Sequence, residues 1–354
     1  MKLKLIIILF FICVVASCKA PEVVSPEQAF TIPAHFAKGA DISWLPQMEA
    51  TGYKFYNSEG KEQDCIEILK GLGINSIRLR TWVNPSDDKK NGHCSKEETV
   101  IMAARAKNAG MRVMIDFHYS DTWADPGKQT KPKAWEEHDF SHLKKAVYDY
   151  TLGVMAALKN AGVTPEWVQI GNEIPSGMLY PDGFLFKEPG KEDWTSLVSL
   201  LNQGYDAVKA ISSTTKVILH IDKGNDNERF KWWFGNAIKY GAKFDVIGMS
   251  YYPYWLDGHP DYTLSVNNLA YNLKDMASRY RKEVMVVETG GEDTQPPNTF
   301  DMLRAVIKYT ALVPENRGLG VFYWEPQGAR SWSNYPLSAW GNDGRPTKAL
   351  EAFK

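Results

Sequence analysis

Two rhythms of hydrophobic and polar positions alternate along this chain. Short apolar runs rich in Val and Ile read as strands covered on both faces. Between them lie longer stretches with apolar residues three and four apart, the spacing of one helix face. Glycine commonly follows the helical stretches, where a chain can turn out of a helix. In order, Phe36–Asp41 predicts a strand, Asp64–Leu72 a helix closed by Gly73, and Ser76–Arg80 a second strand. Lys96–Ala109 follows as a helix ending at Gly110, then strand Arg112–Phe117, a long loop, helix His142–Asn160 and strand Trp167–Glu173. The second half continues with helix Trp194–Ile211, strand Lys216–Ile221, helix Arg229–Tyr240 and strand Phe244–Tyr251. Helix Val266–Tyr280, strand Glu283–Glu288, helix Phe300–Leu312 and strand Gly320–Trp324 complete the pattern, with Ala349–Phe353 as a closing helix.

Strand-then-helix repetition without a change of composition or an internal linker predicts one α/β domain over residues 35–354, a single (β/α)8 TIM barrel. An open doubly wound sheet is the alternative. That fold usually carries a glycine-rich phosphate loop after its first strand, and here the position reads Asp41-Ile42-Ser43-Trp44-Leu45-Pro46.

The first 34 residues follow neither rhythm. Lys2 and Lys4 precede an apolar run, Leu5–Val15, too short to span a bilayer comfortably, which is the layout of an export signal. The run ends in Val15-Ala16-Ser17-Cys18, which resembles a bacterial lipobox. On that resemblance, residues 1–17 are a lipoprotein signal peptide, Cys18 is the lipidated new N-terminus, and residues 18–34 are a tether. Lys19 at the next position points to the outer membrane and the cell surface. Cys65 and Cys94 then remain. An exported pair can form a disulfide, but sequence leaves their separation open, and two cysteines without a CxxC are a poor metal-ligand set.

Composition narrows the function classes. Of 354 residues, 44% are hydrophobic, enough for a large core, and the formal net charge of −1 argues against nucleic acid as a partner. The 12 Trp and 17 Tyr serve either that core or a surface that stacks on sugar rings.

In a barrel, the residues at the C-terminal strand ends face the active site. Here those ends are Asp41; Arg78 and Arg80; Asp116, His118 and Tyr119; Asn172 and Glu173; His220 and Asp222; Tyr251 and Tyr252; Glu288; and Trp324 and Glu325. A carboxylate ending a buried strand is costly unless paired or used. Glu173 follows Trp167-Val168-Gln169-Ile170-Gly171-Asn172, and Glu288 follows Val284-Met285-Val286-Val287. Two such glutamates facing each other suit glycoside cleavage, one as a protonated acid and one as an ionised nucleophile, about 5–5.5 Å apart in a retaining enzyme.

Asn-Glu on the fourth strand with Glu on the seventh resembles the retaining (β/α)8 glycosidases. Gly39-Ala40-Asp41-Ile42-Ser43, Ile77-Arg78-Leu79-Arg80-Thr81-Trp82 and above all the stretch from Asp116 to Gln129 are similar to glycoside hydrolase family 53, the endo-β-1,4-galactanases of type I arabinogalactan. The likeness runs from Lys38 to the C-terminus. It implies Glu173 as acid/base, Glu288 as nucleophile, Asn172 at the sugar 2-hydroxyl, and Arg78 as the group that keeps the nucleophile ionised. It further implies Tyr251 or Tyr252 as donor to the nucleophile, His220 beside the acid/base, and His118 and Asp41 along the non-reducing side. Trp82, Trp123, Trp324 and Trp332 are candidate sugar platforms. Family members often hold calcium in a long loop after strand seven. The loop here, Gly290 to Asn298, is short; Glu292 and Asp293 could still supply oxygen ligands to a structural calcium, though two acids beside two glycines are more often a solvated turn, and no cofactor is required for the chemistry. The expected partners are galactan and, through the lipid, a membrane, with the chain a monomer. A glycan-capturing protein on an inactive barrel is a different class of reading. It would have lost a catalytic glutamate or Asn172, and all three are present.

Overall fold

Eight parallel strands close on themselves in this computed structural model, which describes residues 31–86 and 93–354. The export signal and Cys18 lie outside the described residues. The strands are β1 Ala37–Asp41, β2 Ser76–Thr81, β3 Arg112–Phe117, β4 Trp167–Ile170, β5 Lys216–Ile221, β6 Val246–Tyr251, β7 Glu283–Thr289 and β8 Gly318–Trp324. Closure runs through β1, whose Asp41 lies opposite Trp324 of β8 on one side and Arg78 of β2 on the other. The expected single barrel is therefore the observed one, and the open sheet is excluded.

Side chains on a strand alternate in direction, so the barrel interior is built in layers. Its floor is apolar: Met114, Trp167, Ile218, Met285 and Phe322 pack together inside. Gly39 makes room for this plug, because a Cβ there would sit 2.2 Å from the Phe322 ring. One pleat higher on the same strands come Asp116, Gln169 and His220, all buried. The outward-facing residues of the strands, such as Ile77, Ile115 and Leu219, pack in the core beneath the surrounding helices.

The helices start where polar caps stand. Asp64, Ser95, Asp139, Asp193 and Asp226 each accept from free N–H groups of the helix they precede. Several boundaries move accordingly. The helix expected at Arg229 begins at Asn227, and that expected at His142 begins at Phe140. The helix expected at Phe300 begins at Pro296, a residue suited to a first helical turn. The C-terminal helix is 3-10, Lys348–Phe353. Elements without a strong periodic signal went unforeseen: the six-residue helix Leu45–Ala50 and the two-residue strands Gly177–Met178 and Gly183–Phe184. Cys65 and Cys94 are buried and unbridged. Among the described residues no helix is long and apolar enough to cross a membrane.

Candidate active site

β4 ends three residues earlier than its sequence suggests. The strand stops at Ile170, and the next residues break its direction, with Gly171 at φ +81° and Glu173 at φ +43°. A non-glycine residue in that left-handed region is strained and persists only where its surroundings hold it. They do so here. Gln129 donates from Nε2 to the carbonyls of Asn172 (2.8 Å) and Glu173 (3.1 Å), and the Ile174 N–H continues to the His220 carbonyl. The bend lifts Glu173 to the barrel mouth, where it is half-buried.

Arg78 stands at the centre of the polar layer. Its guanidinium is fully buried and pairs with Asp41 at 2.7 Å, Asp116 at 2.8 Å and Glu288 at 2.8 Å. It also donates to Asn172 Oδ1 and, through Nε, to Gln169 Oε1. An arginine stays charged and offers five donors, which is why one side chain can serve so many acceptors. Asn172 donates from Nδ2 to the Ala124 carbonyl, which leaves its second N–H for a ligand hydroxyl.

The two glutamates are held differently. Glu288, 6% exposed, has Arg78 on Oε1 and accepts from the Tyr252 hydroxyl on Oε2 at 3.3 Å. Glu173 accepts from Ser250 Oγ at 2.6 Å. Burial raises both carboxyls, and each feels negative neighbours. Glu288 is pushed up to about 7 against the opposing pull of Arg78. Glu173 rises well above the carboxylate range through burial and the Glu288 and Asp222 charges, with weaker relief from Ser250 and Arg78. The proton therefore resides on Glu173 before Glu288, the division of labour that an acid and a nucleophile need. β4 and β7 are separated by β5 and β6 on one side of the barrel and by four strands on the other.

The other expected residues divide by strand parity. Tyr252 reaches Glu288. Tyr251 does not: it is buried on the outer face of β6, with its hydroxyl at Ser265 and the Tyr262 carbonyl. Asp41 is fully buried and committed to Arg78 and Ser43, so it braces the site rather than lining a subsite. His118 accepts from Ala124 N–H at Nδ1 and faces Asp116 with Nε2, which places its ring proton on Nε2. Trp82 is 1% exposed and packs edge-on to Trp123, so it is support and not a platform. Trp123, Trp324 and Trp332 are partly exposed and gather around Trp44, with ring centroids 6.1, 5.0 and 5.9 Å from it. Arg80 pairs with Glu325 beneath this cluster, its guanidinium 4.2 Å from the Trp123 ring centroid. In the loop after β7 the two acids have partners within the protein. Both Asp293 oxygens accept from Arg330, and Glu292 accepts from Gln295.

Sequence reasoning missed Ser250, Gln169, Trp44 and Tyr335. Parity would have found two of them: Ser250 shares a strand face with Tyr252, and Gln169 occupies the level of Asp116 and His220. Trp44 and Tyr335 sit in loops where no periodicity exists to read. Tyr335 packs on Trp324 at 4.8 Å.

Residues 37–353 match the model of glycosyl hydrolase family 53. The arabinogalactan endo-beta-1,4-galactanase of Thermothelomyces thermophilus is 35% identical over 311 residues, covering 82% of this chain and 89% of that protein. The endo-beta-1,4-galactanase of Bacillus subtilis is 34% identical, covering 82% and 70% respectively. Among solved structures, the Ignisphaera aggregans GH53 catalytic domain superposes with a TM-score of 0.82 at 30% identity, covering 91% of this chain and 96% of that one. The matched region includes every strand of the barrel and both glutamates, and by it the chain belongs to glycosyl hydrolase family 53.

Proposed function

We propose that this protein is a retaining, endo-acting glycosidase that cleaves β-1,4-galactosidic bonds in galactan and type I arabinogalactan. One observation carries the assignment of roles: Glu288 is ion-paired to Arg78, whereas the partner of the Glu173 carboxyl is the neutral hydroxyl of Ser250. In the first step Glu288 attacks the anomeric carbon while Glu173 gives its proton to the departing glycosidic oxygen. The C–O bond breaks, and a galactosyl ester forms on Glu288. In the second step the Glu173 carboxylate takes a proton from water, whose oxygen displaces Glu288 from the same carbon. Two inversions leave the configuration retained. Asn172 offers its free Nδ2–H to the sugar 2-hydroxyl, a contact that tightens as charge develops.

The choice of galactan rests on relatives named as galactanases; the partly exposed tryptophans around Trp44 suit sugar faces in general. Hydrolysis of galactan but not of mannan, xylan or glucan is the expected outcome, with the β-anomer as first product by NMR. Glu288→Ala abolishes turnover while oligosaccharide still binds, and Glu173→Ala spares substrates with good leaving groups far more than polymer. Near-normal galactan hydrolysis by Glu288→Ala, or an α-anomeric first product, overturns the reading. We also propose that Cys18 is lipidated and tethers the barrel to the outer membrane, facing outward, as a monomer. Loss of fatty-acid label in Cys18→Ala is its test.

A further inference from the structure

We infer that Ser250 and Gln169 are positioning residues that fix where the proton sits on Glu173, as links in a hydrogen-bonded chain joining it to Glu288. This inference rests on the acid/base role proposed above for Glu173. The chain runs from Glu288 to Arg78 Nη2 (2.8 Å), from Arg78 Nε to Gln169 Oε1 (3.1 Å), and from Gln169 Nε2 to His220 Nδ1 (2.8 Å). It continues from His220 Nε2 to Ser250 Oγ (2.7 Å) and ends at Glu173 Oε1 (2.6 Å).

The direction of each link is forced. Arg78 can only donate, so the Gln169 atom facing it is the carbonyl oxygen, and the amide nitrogen must face His220 and Asp116. His220 Nδ1 then meets two donors, Gln169 Nε2 at 2.8 Å and the backbone N–H of Glu173 at 3.3 Å, and one acceptor, Asn172 Oδ1 at 3.2 Å, which already accepts from Arg78 Nη2; the shortest contact comes from a donor and decides. Nδ1 has to be the unprotonated nitrogen, so the ring proton lies on Nε2 and points at Ser250. Ser250, accepting there, turns its own hydrogen to Glu173 Oε1. That oxygen is left as acceptor, and the transferable proton belongs on the other one. Burial and the Arg78 charge also hold His220 well below its usual range, so the ring stays neutral and passes on one donor only.

Glu173 is further faced by Glu288 from β7, Asp222 from beyond β5, Arg78 from β2 and Tyr252 from beyond β6. None of these is altered by Ser250→Ala, which removes only the donor that favours the ionised carboxylate. A hydrogen bond to a charged group is large enough to move the alkaline limb of kcat/KM on galactan upward by about one pH unit. The acid limb stays in place, and KM changes little. An unmoved limb, or one that moves down, overturns the inference. Nitrogen-15 NMR of His220 in the unmodified enzyme is the second measurement: Nε2 protonated is expected, and a proton on Nδ1 overturns it. Glu173→Ala is run alongside on polymer and on an aryl galactobioside. If that variant spares the aryl substrate but the Ser250→Ala limb does not move, the chain alone fails. If it hydrolyses polymer normally, the acid/base reading fails first.

Discussion

Arg78 pairs with three carboxylates from three strands, and the consequence is specific to its shape as well as its charge. Removing one member of a buried charge cluster leaves the others uncompensated, at a cost of about 3–5 kcal/mol. Arg78→Gln should therefore lower stability to urea by that order. In whatever remains folded, Glu288 loses the charge that favours its ionised form, so the acid limb of kcat/KM moves to higher pH. A variant with wild-type stability and an unmoved acid limb would contradict the central role of this residue. At this scale the sequence singled out the two glutamates, because a carboxylate after a buried apolar run has few uses. It marked the aromatics poorly. Trp82 and Trp324 both end strands and both pack on the Trp123 ring, yet one is 1% exposed and the other partly open. Which ring covers which depends on loops that fold over the mouth.

The fourth strand shows how an element aims a residue. Its apolar body was legible from Val168 and Ile170, but the bend that presents Glu173 was not, since nothing in Gly171-Asn172-Glu173 states that the ladder stops. Gly171 combines φ +81° with a tight neighbour: a Cβ would lie 2.8 Å from Ile174 Cγ2. Gly171→Ala must either strain the turn, at about 1–3 kcal/mol, or rotate it and displace Glu173. The expected result is a fall in kcat on galactan with little change in KM, measured beside thermal unfolding. An unchanged kcat would mean the turn does not set the acid's position. β6 makes the complementary point. Tyr251 and Tyr252 are adjacent and chemically identical, and only the pleat decides between them. The pairing of β6 with β7 shifts between Met249 and Ser250, where Val287 of β7 is passed over, so parity runs unbroken along β6 but could not be carried through β7 to Glu288.

For the molecule as a whole, the folded barrel puts Cys65 and Cys94 beyond solvent. Burial pushes Cys65 well above the ordinary thiol range and Cys94 to about 12, the latter despite the nearby Arg80 charge. A thiolate is the reactive form, so both thiols are doubly protected, by access and by protonation. Cys65 opens the helix Cys65–Gly71 on the outer wall, while Cys94 lies beneath the Ser43 carbonyl near the mouth. If the barrel opens only as one cooperative unit, both should be modified by a thiol reagent at the same urea concentration, coincident with loss of tryptophan fluorescence. Peptide mapping after pulse labelling reads each site separately. Labelling of Cys94 well before Cys65 would show instead that the loops over the mouth open independently of the wall. The alternation of strand and helix predicts the barrel wall that would open as this unit. The test asks whether the active-site rim, built from loops that the alternation does not describe, shares in it.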